Sequence, residues 1–260
     1  GHHMTDHKPG QMTGRIYRLT PKGGSGKYTL PKNRSARSML ASPNMDERYI
    51  AWQQLNAVGA KAEGTLAKLW QGDNQRLRAR ALHLLARIDG LEKKYIGAAL
   101  GDDNADIRIT GLRIARERGH DIIPLVKQLA DDPSAAVRRE CAIALRHNDS
   151  PAAPALWAKL AQQHDGADRW YLEALGLALD RQQDKFFGAW LEAVGSNWDT
   201  PAGRDIVWRS RSKKTPDLLV EILLDKKTKE ADKPRYIRAL DFQSGPEKNA
   251  ALLKLLGAGS

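Results

Sequence analysis

Apolar residues recur along the chain at spacings of three and four with polar residues between them, the pattern of helices that bury one face. Segments 44–58, 74–88, 104–118 and 134–148 align on a thirty-residue period. Arg48, Arg78, Arg108 and Arg138 form one column. Ala51, Ala81, Gly111 and Cys141 form a second, and Leu55, Leu85, Ala115 and Leu145 a third. The residue before the arginine is Leu77, Ile107 or Val137 in three segments and Glu47 in the first. Self-similarity at such a period marks an array of units, none of which can bury its apolar face alone.

Each segment opens on side chains able to accept the free amides of a first helical turn: Asn44, Asn74, Asn104 and Ser134. Pro43, Asp73, Asp103 and Pro133 precede them. Gly59, Gly90 and Gly119 are placed to end the first helix of their units. Second amphipathic runs follow at 65–70, 92–100, 121–130 and 151–163. The period then loosens into pairs at 170–180 and 185–194, 203–210 and 216–224, and 235–241 and 247–256. These patterns predict an all-α fold, a right-handed α-solenoid of about six to seven helical hairpins. The small-residue column marks where its helices approach most closely.

The pattern Asp-Asn-x-x-Ile-Arg-x-x-Gly-Leu, at 103–112, resembles the HEAT-repeat family, and the likeness extends over residues 33–257. It implies a fold more strongly than a function, since such arrays serve many roles. The column Arg48, Arg78, Arg108 and Arg138 resembles the family's stacking arginine, which implies a structural part that bonds across neighbouring repeats.

The start of the chain differs in kind. Gly1-His2-His3-Met4 reads as a tag remnant. The alternation at 14–19, the glycine-rich stretch 21–26 and the apolar-polar run 27–30 suit a short extended or β-hairpin segment over 5–32. Gly-Arg-Ile-Tyr-Arg-Leu-Thr-Pro at 14–21 is followed by Ser-Pro-Asn-Met-Asp-Glu-Arg-Tyr-Ile-Ala-Trp-Gln-Gln-Leu at 42–55. Together they resemble a junction found in large bacterial membrane-bound-dehydrogenase-like proteins. In these a sugar-dehydrogenase-like β-propeller is followed by HEAT repeats and often by a c-type haem domain. Asp-Arg-Trp-Tyr-Leu-Glu-Ala-Leu-Gly at 168–176 and Arg-Asp-Ile-Val-Trp-Arg-Ser at 204–210 are similar to later repeats of that group. The resemblance implies that 5–32 ends a preceding propeller and that 33–257 is a segment of a larger exported protein, periplasmic or extracytoplasmic. The sequence holds no Cys-x-x-Cys-His haem site, so any dehydrogenase or haem chemistry would lie in other domains of the parent.

Charge changes the picture through its distribution. The formal net charge is +11. Nine Lys/Arg face three Asp/Glu through residue 50, twenty face twenty over 51–202, and eleven face six over 203–238. The central repeats are therefore neutral, whereas a nucleic-acid-binding solenoid would carry a basic stripe along its length. No apolar run approaches the ~20 residues of a membrane span, so no membrane insertion is expected.

Candidate chemistry is sparse. Cys141 lies on an apolar helical face and reads as a buried, inert thiol. Gly23 to Lys27 invites a phosphate-loop reading, but Pro21 stands where that motif needs its first glycine and Tyr28 where it needs Ser or Thr. His7, His83, His120, His147 and His164 show no i, i+4 pairing and no metal-ligand spacing with Cys141. Asp102-Asp103 and Asp131-Asp132 fall in turns, where capping accounts for them. No catalytic, cofactor-binding or metal-ligating residue is expected, and no cofactor.

The best candidate surface lies late in the chain: Trp198, Arg204, Trp208, Arg209, Arg211, Lys213 and Lys214. Trp and Arg are enriched where binding energy concentrates. The plainer reading is that Trp190 and Trp208 fill core space while the cations are solvated. The expected function is a non-catalytic protein-interaction or scaffolding module, its partner a protein such as a neighbouring domain of the parent chain. The alternative is a nucleic-acid-binding HEAT-like protein of the alkylpurine-glycosylase type, motivated by basic charge and exposed aromatics.

Overall fold

The structure, a computed structural model, describes residues 34–258. Among these, helices and their connecting turns account for the whole chain, and there is no strand. The expected extended segment at 5–32, with its glycine-rich stretch, lies outside the described residues. Short α1 (Ala36–Leu40) leads into α2 (Met45–Val58), α3 (Glu63–Trp70), α4 (Gln75–Leu85), α5 (Glu92–Leu100) and α6 (Ala105–Glu117). There follow α7 (Ile123–Leu129), α8 (Ala135–Ala144), α9 (Ala153–Ala161), α10 (Arg169–Ala178) and α11 (Gln183–Val194). The series ends with α12 (Pro201–Arg209), α13 (Thr215–Leu224), α14 (Lys233–Leu240) and α15 (Pro246–Ala258). Single 3-10 turns at Gly59–Ala62 and Gly195–Trp198 bend the chain after α2 and α11.

The helices form two layers. The even-numbered helices from α2 to α14 contact one another in succession. In the other layer α7, α9 and α11 form a row, and α13 packs on α15. This is the arrangement expected of a solenoid of stacked hairpins. One detail differs from the sequence reading. The close pairs α3 with α4 and α5 with α6 straddle the boundary of the thirty-residue unit, because the tight connections are 71–74 and 101–104.

Local chemistry explains the helix ends. Asn44, Asn74 and Asn104 each accept first-turn amides. Ser134 makes no such bond; instead its own amide donates to Asp132 Oδ1 at 2.8 Å. Gly59 has φ +61°, Gly90 +80° and Gly119 +75°, so each turn after its helix uses backbone space that favours glycine. The small-residue column is buried throughout. At Gly111 a Cβ would stand 2.8 Å from the Ala99 Cβ, so glycine is what lets α6 approach α5. Cys141 is fully buried, and burial pushes its thiol up to about 12, as an inert core residue requires. Trp157, Phe186, Phe187 and Trp190 thicken the core toward the later repeats.

The arginine column fixes how one hairpin sits on the next. Arg108 Nη1 donates backward to the carbonyls of Asp102 (2.7 Å) and Asp103 (3.0 Å). Its Nε and Nη2 donate forward to the Asp132 carboxylate at 2.7 and 2.8 Å. Arg78 repeats the pattern with the Trp70 carbonyl and Asp102. Arg48 bonds the Ser42 and Pro43 carbonyls. Arg138 bonds those of Asp132 and Pro133 and lies over the Tyr171 ring. Each aspartate has two tasks: Asp102 and Asp132 also hold the amides of Asn104 and Ser134. One layer deeper, the buried Glu140 receives Arg113 at 2.7 Å and Arg116 at 3.7 Å. Arg78 and Arg108 thus reach the next repeat, whereas the hydrogen bonds of Arg48 and Arg138 stay with the turn before their own helix.

Burial pushes the Asp132 carboxyl up, but the Arg108 guanidinium and the Ser134 amide outweigh it and hold the group below its ordinary value of 3.8. A depressed folded-state pKa means that this stabilisation is complete above the unfolded value and disappears as pH falls through the folded one. Asp132→Ala is expected to cost about 3 kcal/mol at neutral pH, because it leaves Arg108 without its partner. The exposed neighbour change Asp131→Ala should stay within about 0.5 kcal/mol. Urea unfolding at neutral pH checks both. Repeated in acid, the gap between wild type and Asp132→Ala should narrow only below about pH 4.

Candidate functional site

The late basic-aromatic region is carried by α12 and the turn after it. Pro201 and the Thr200 side chain start this helix, the Thr200 hydroxyl accepting the Gly203 amide. Arg204 is the fourth residue of α12, as Arg48, Arg78, Arg108 and Arg138 are of α2, α4, α6 and α8. It makes the same kind of clamp. Its Nη1 donates to Thr228 Oγ1 at 2.8 Å, its Nη2 to Asp225, and its Nε to Asp199 at 2.5 Å. Arg204 is thus a further member of the repeat column.

The other candidates divide. Arg209 crosses α10, where its guanidinium fills the space above Gly176 and bonds Glu173 at 3.1 Å. Arg211 turns back onto the carbonyls of Trp208 and Ser210 and lies over the Phe242 ring. Trp198 and Trp208 are half-buried against the core, and Arg235 covers the Trp208 ring at 4.5 Å. Trp190 is buried, as the core reading expected. Lys213 and Lys214 alone of the seven are exposed. The region therefore comes together in space, but as a tie between α10, α12 and α14 more than as an open cationic patch.

Beneath Trp208 lies a hollow of about 250 Å³. The His164 side chain is almost wholly buried there, with Nε2 3.3 Å from Asp205 Oδ2. The other Asp205 oxygen receives Arg235 at 2.7 Å. Burial pushes the Asp205 carboxyl up, yet His164 and Arg235 hold it below its usual range. A His–Asp pair can orient a general base. Here both carboxylate oxygens are occupied, and no Ser, Thr, Cys or Tyr lines the hollow. The cluster binds the 162–168 turn to α12 and α14. Among the described residues no group of three or more His, Cys, Asp or Glu could hold a metal ion. No helix among them is long and apolar enough to cross a membrane.

Residues 93–176 match the family of HEAT repeats. No curated protein matches the chain. The matched span includes the clamp arginines Arg108 and Arg138 and the close-approach residues Gly111 and Cys141. HEAT repeats generally mediate protein interaction or scaffolding.

A second surface of the helical stack escaped the sequence reading. On the solvent side of the even layer, α2 presents Met45, Arg48, Tyr49 and Trp52, and α4 presents Arg80 and His83. With Leu40 they line a hollow of about 470 Å³. Met45 is 71% exposed and Tyr49 60%. Arg87 lies over the Trp52 ring at 5.2 Å, and Arg80 Nη1 donates to the Leu40 carbonyl at 2.7 Å. The signal was present as spacing: 45, 49 and 52 share one helix face, and so do 76, 80 and 83. Charge counted over 51–202 averaged this face away.

If Arg204 is a clamp, Arg204→Ala should lower stability by about 2 to 3 kcal/mol, since Asp225 and Asp199 lose their partner. Lys213→Ala with Lys214→Ala should change it by less than about 0.5 kcal/mol. Urea unfolding followed by Trp fluorescence compares the two variants.

Proposed function

We propose that this chain is a non-catalytic protein-interaction or scaffolding module. The observation that carries the reading is the stack itself. Its convergent polar groups, from the Arg78–Asp102 pair to the His164–Asp205–Arg235 cluster, are bonded to one another as inter-repeat ties. A solenoid held this way offers a long, preorganised surface, which lowers the ordering cost of binding. The junction resemblance at 14–21 and 42–55 supports a finer reading. In it, the module is one segment of a larger exported dehydrogenase-like protein, a right-handed array after a propeller, and its first partners are domains of that parent outside the cytoplasm. Dehydrogenase chemistry would then belong to those other domains.

Fluorescence anisotropy of labelled single- and double-stranded DNA across a salt series separates this reading from a nucleic-acid function. Generic attraction by a basic protein should give weak binding that fades by physiological salt. Submicromolar binding at physiological salt with a steep salt slope would overturn the proposal.

A further inference from the structure

The hollow between α2 and α4 differs from the rest of the surface in two respects. Its floor is apolar, built from Leu40, Met45, Tyr49 and Trp52. Its rim carries Arg48, Arg80 and His83 and no carboxylate. Arg76 stands beside them on α4, and Arg87 in the turn just after it. Among the described residues, none of Arg48, Arg76, Arg80 and Arg87 makes an ion pair with a carboxylate, whereas Arg78, Arg108, Arg113, Arg139, Arg204 and Arg209 all do. Burial, with Arg48 and Arg76 adding like charge, lowers the Arg80 pKa. Glu47 is buried on α2 against Arg34, and Glu117 acts on His83 from α6.

We propose that this face of α2 and α4 binds an acidic segment of a partner protein, which seats an apolar side chain on Tyr49 and Trp52 between carboxylates that meet Arg76, Arg80 and Arg87. The inference rests on the interaction-module reading and gives it a location and a partner chemistry. Charge complementarity selects an anionic partner. The apolar floor, of a size that holds an aromatic or aliphatic anchor, selects an amphipathic one. A nucleic-acid strand fits less well, because it needs cations at successive phosphates. Further along the even layer several such cations are engaged: Arg113 and Arg116 by Glu140, Arg139 by Asp168, and Arg209 by Glu173. The positive charge without a carboxylate partner spans α2, α4 and the turn after α4, the length of a short peptide.

The test selects a random peptide library displayed on phage against the immobilised full chain, then measures a recovered peptide by fluorescence anisotropy. The expected consensus is an aromatic or large aliphatic residue flanked by Asp or Glu. Arg76→Glu with Arg87→Glu, both on the surface, should weaken binding at least about tenfold while circular dichroism stays unchanged. Trp52→Leu should weaken it independently of charge. Lys213→Glu with Lys214→Glu should leave it unaltered. No enrichment, a consensus without acidic residues, or binding indifferent to Arg76 and Arg87 overturns the proposal. Peptide binding that follows Lys213 and Lys214 instead moves the site and keeps the interaction-module reading. Submicromolar single-stranded DNA binding at physiological salt that requires Arg76 and Arg87 overturns both.

Discussion

The structure depends on an arginine placed one turn into an even-layer helix. In a solenoid each hairpin touches only its neighbours, so the register between hairpins must be set locally. Apolar packing is non-directional and would let adjacent helices slide. A guanidinium fork is not, because its donors lie in fixed directions. Arg108 uses that geometry in both senses, holding the carbonyls of the turn behind it and the Asp132 carboxylate of the next repeat. Since Asp132 also holds the amide of Ser134, the register of one repeat and the start of the next helix are fixed by one carboxylate.

The clamp varies along the stack, and that variation bears on where charge is left over. Arg78 and Arg108 each find an aspartate twenty-four residues on. The corresponding position for Arg48 is Gly72, so the first even helix is tied by carbonyls alone. For Arg138 it is Gln162, and the tie passes to the Tyr171 ring and to the neighbouring Arg139–Asp168 pair. Arg204 restores the full form with Thr228 and Asp225. Arg48 thus lies one repeat before the aspartate column, which begins with the Arg78–Asp102 pair of α4.

The parts of this fold legible in sequence were those with strict periodicity. The arginine column, the small residues at 51, 81, 111 and 141, and the asparagine caps each require a fixed offset from the helix start, so a thirty-residue alignment exposes them. Arg204 was hidden because sixty-six residues separate it from Arg138, which is no multiple of the period. Its charge and its tryptophan neighbours then suggested a partner surface. Which helix packs most closely on which was also illegible, since it depends on the relative tightness of successive turns. Short α1 escaped for a related reason: five residues are too few to show a period. The α2–α4 hollow escaped because it is a relation between two helices, each of which looks ordinary alone.

Net charge is a poor guide to where such a protein binds. Screening confines the influence of an exposed charge to about 8 Å at physiological ionic strength, so excess charge at one end of the stack does little for a ligand at the other. What matters locally is whether a cation already has a partner and what lies beside it. Arg209 is held by Glu173 and Arg204 by Asp199 and Asp225, which leaves the α12 region with two solvated lysines. Displacing those internal bonds would set their loss against any new contact. At α2 and α4 no carboxylate has to be displaced, and the adjoining surface is aromatic. An acidic, apolar-anchored ligand would therefore gain both interactions without breaking an existing ion pair, and that asymmetry, more than the total of +11, distinguishes the two ends of the chain.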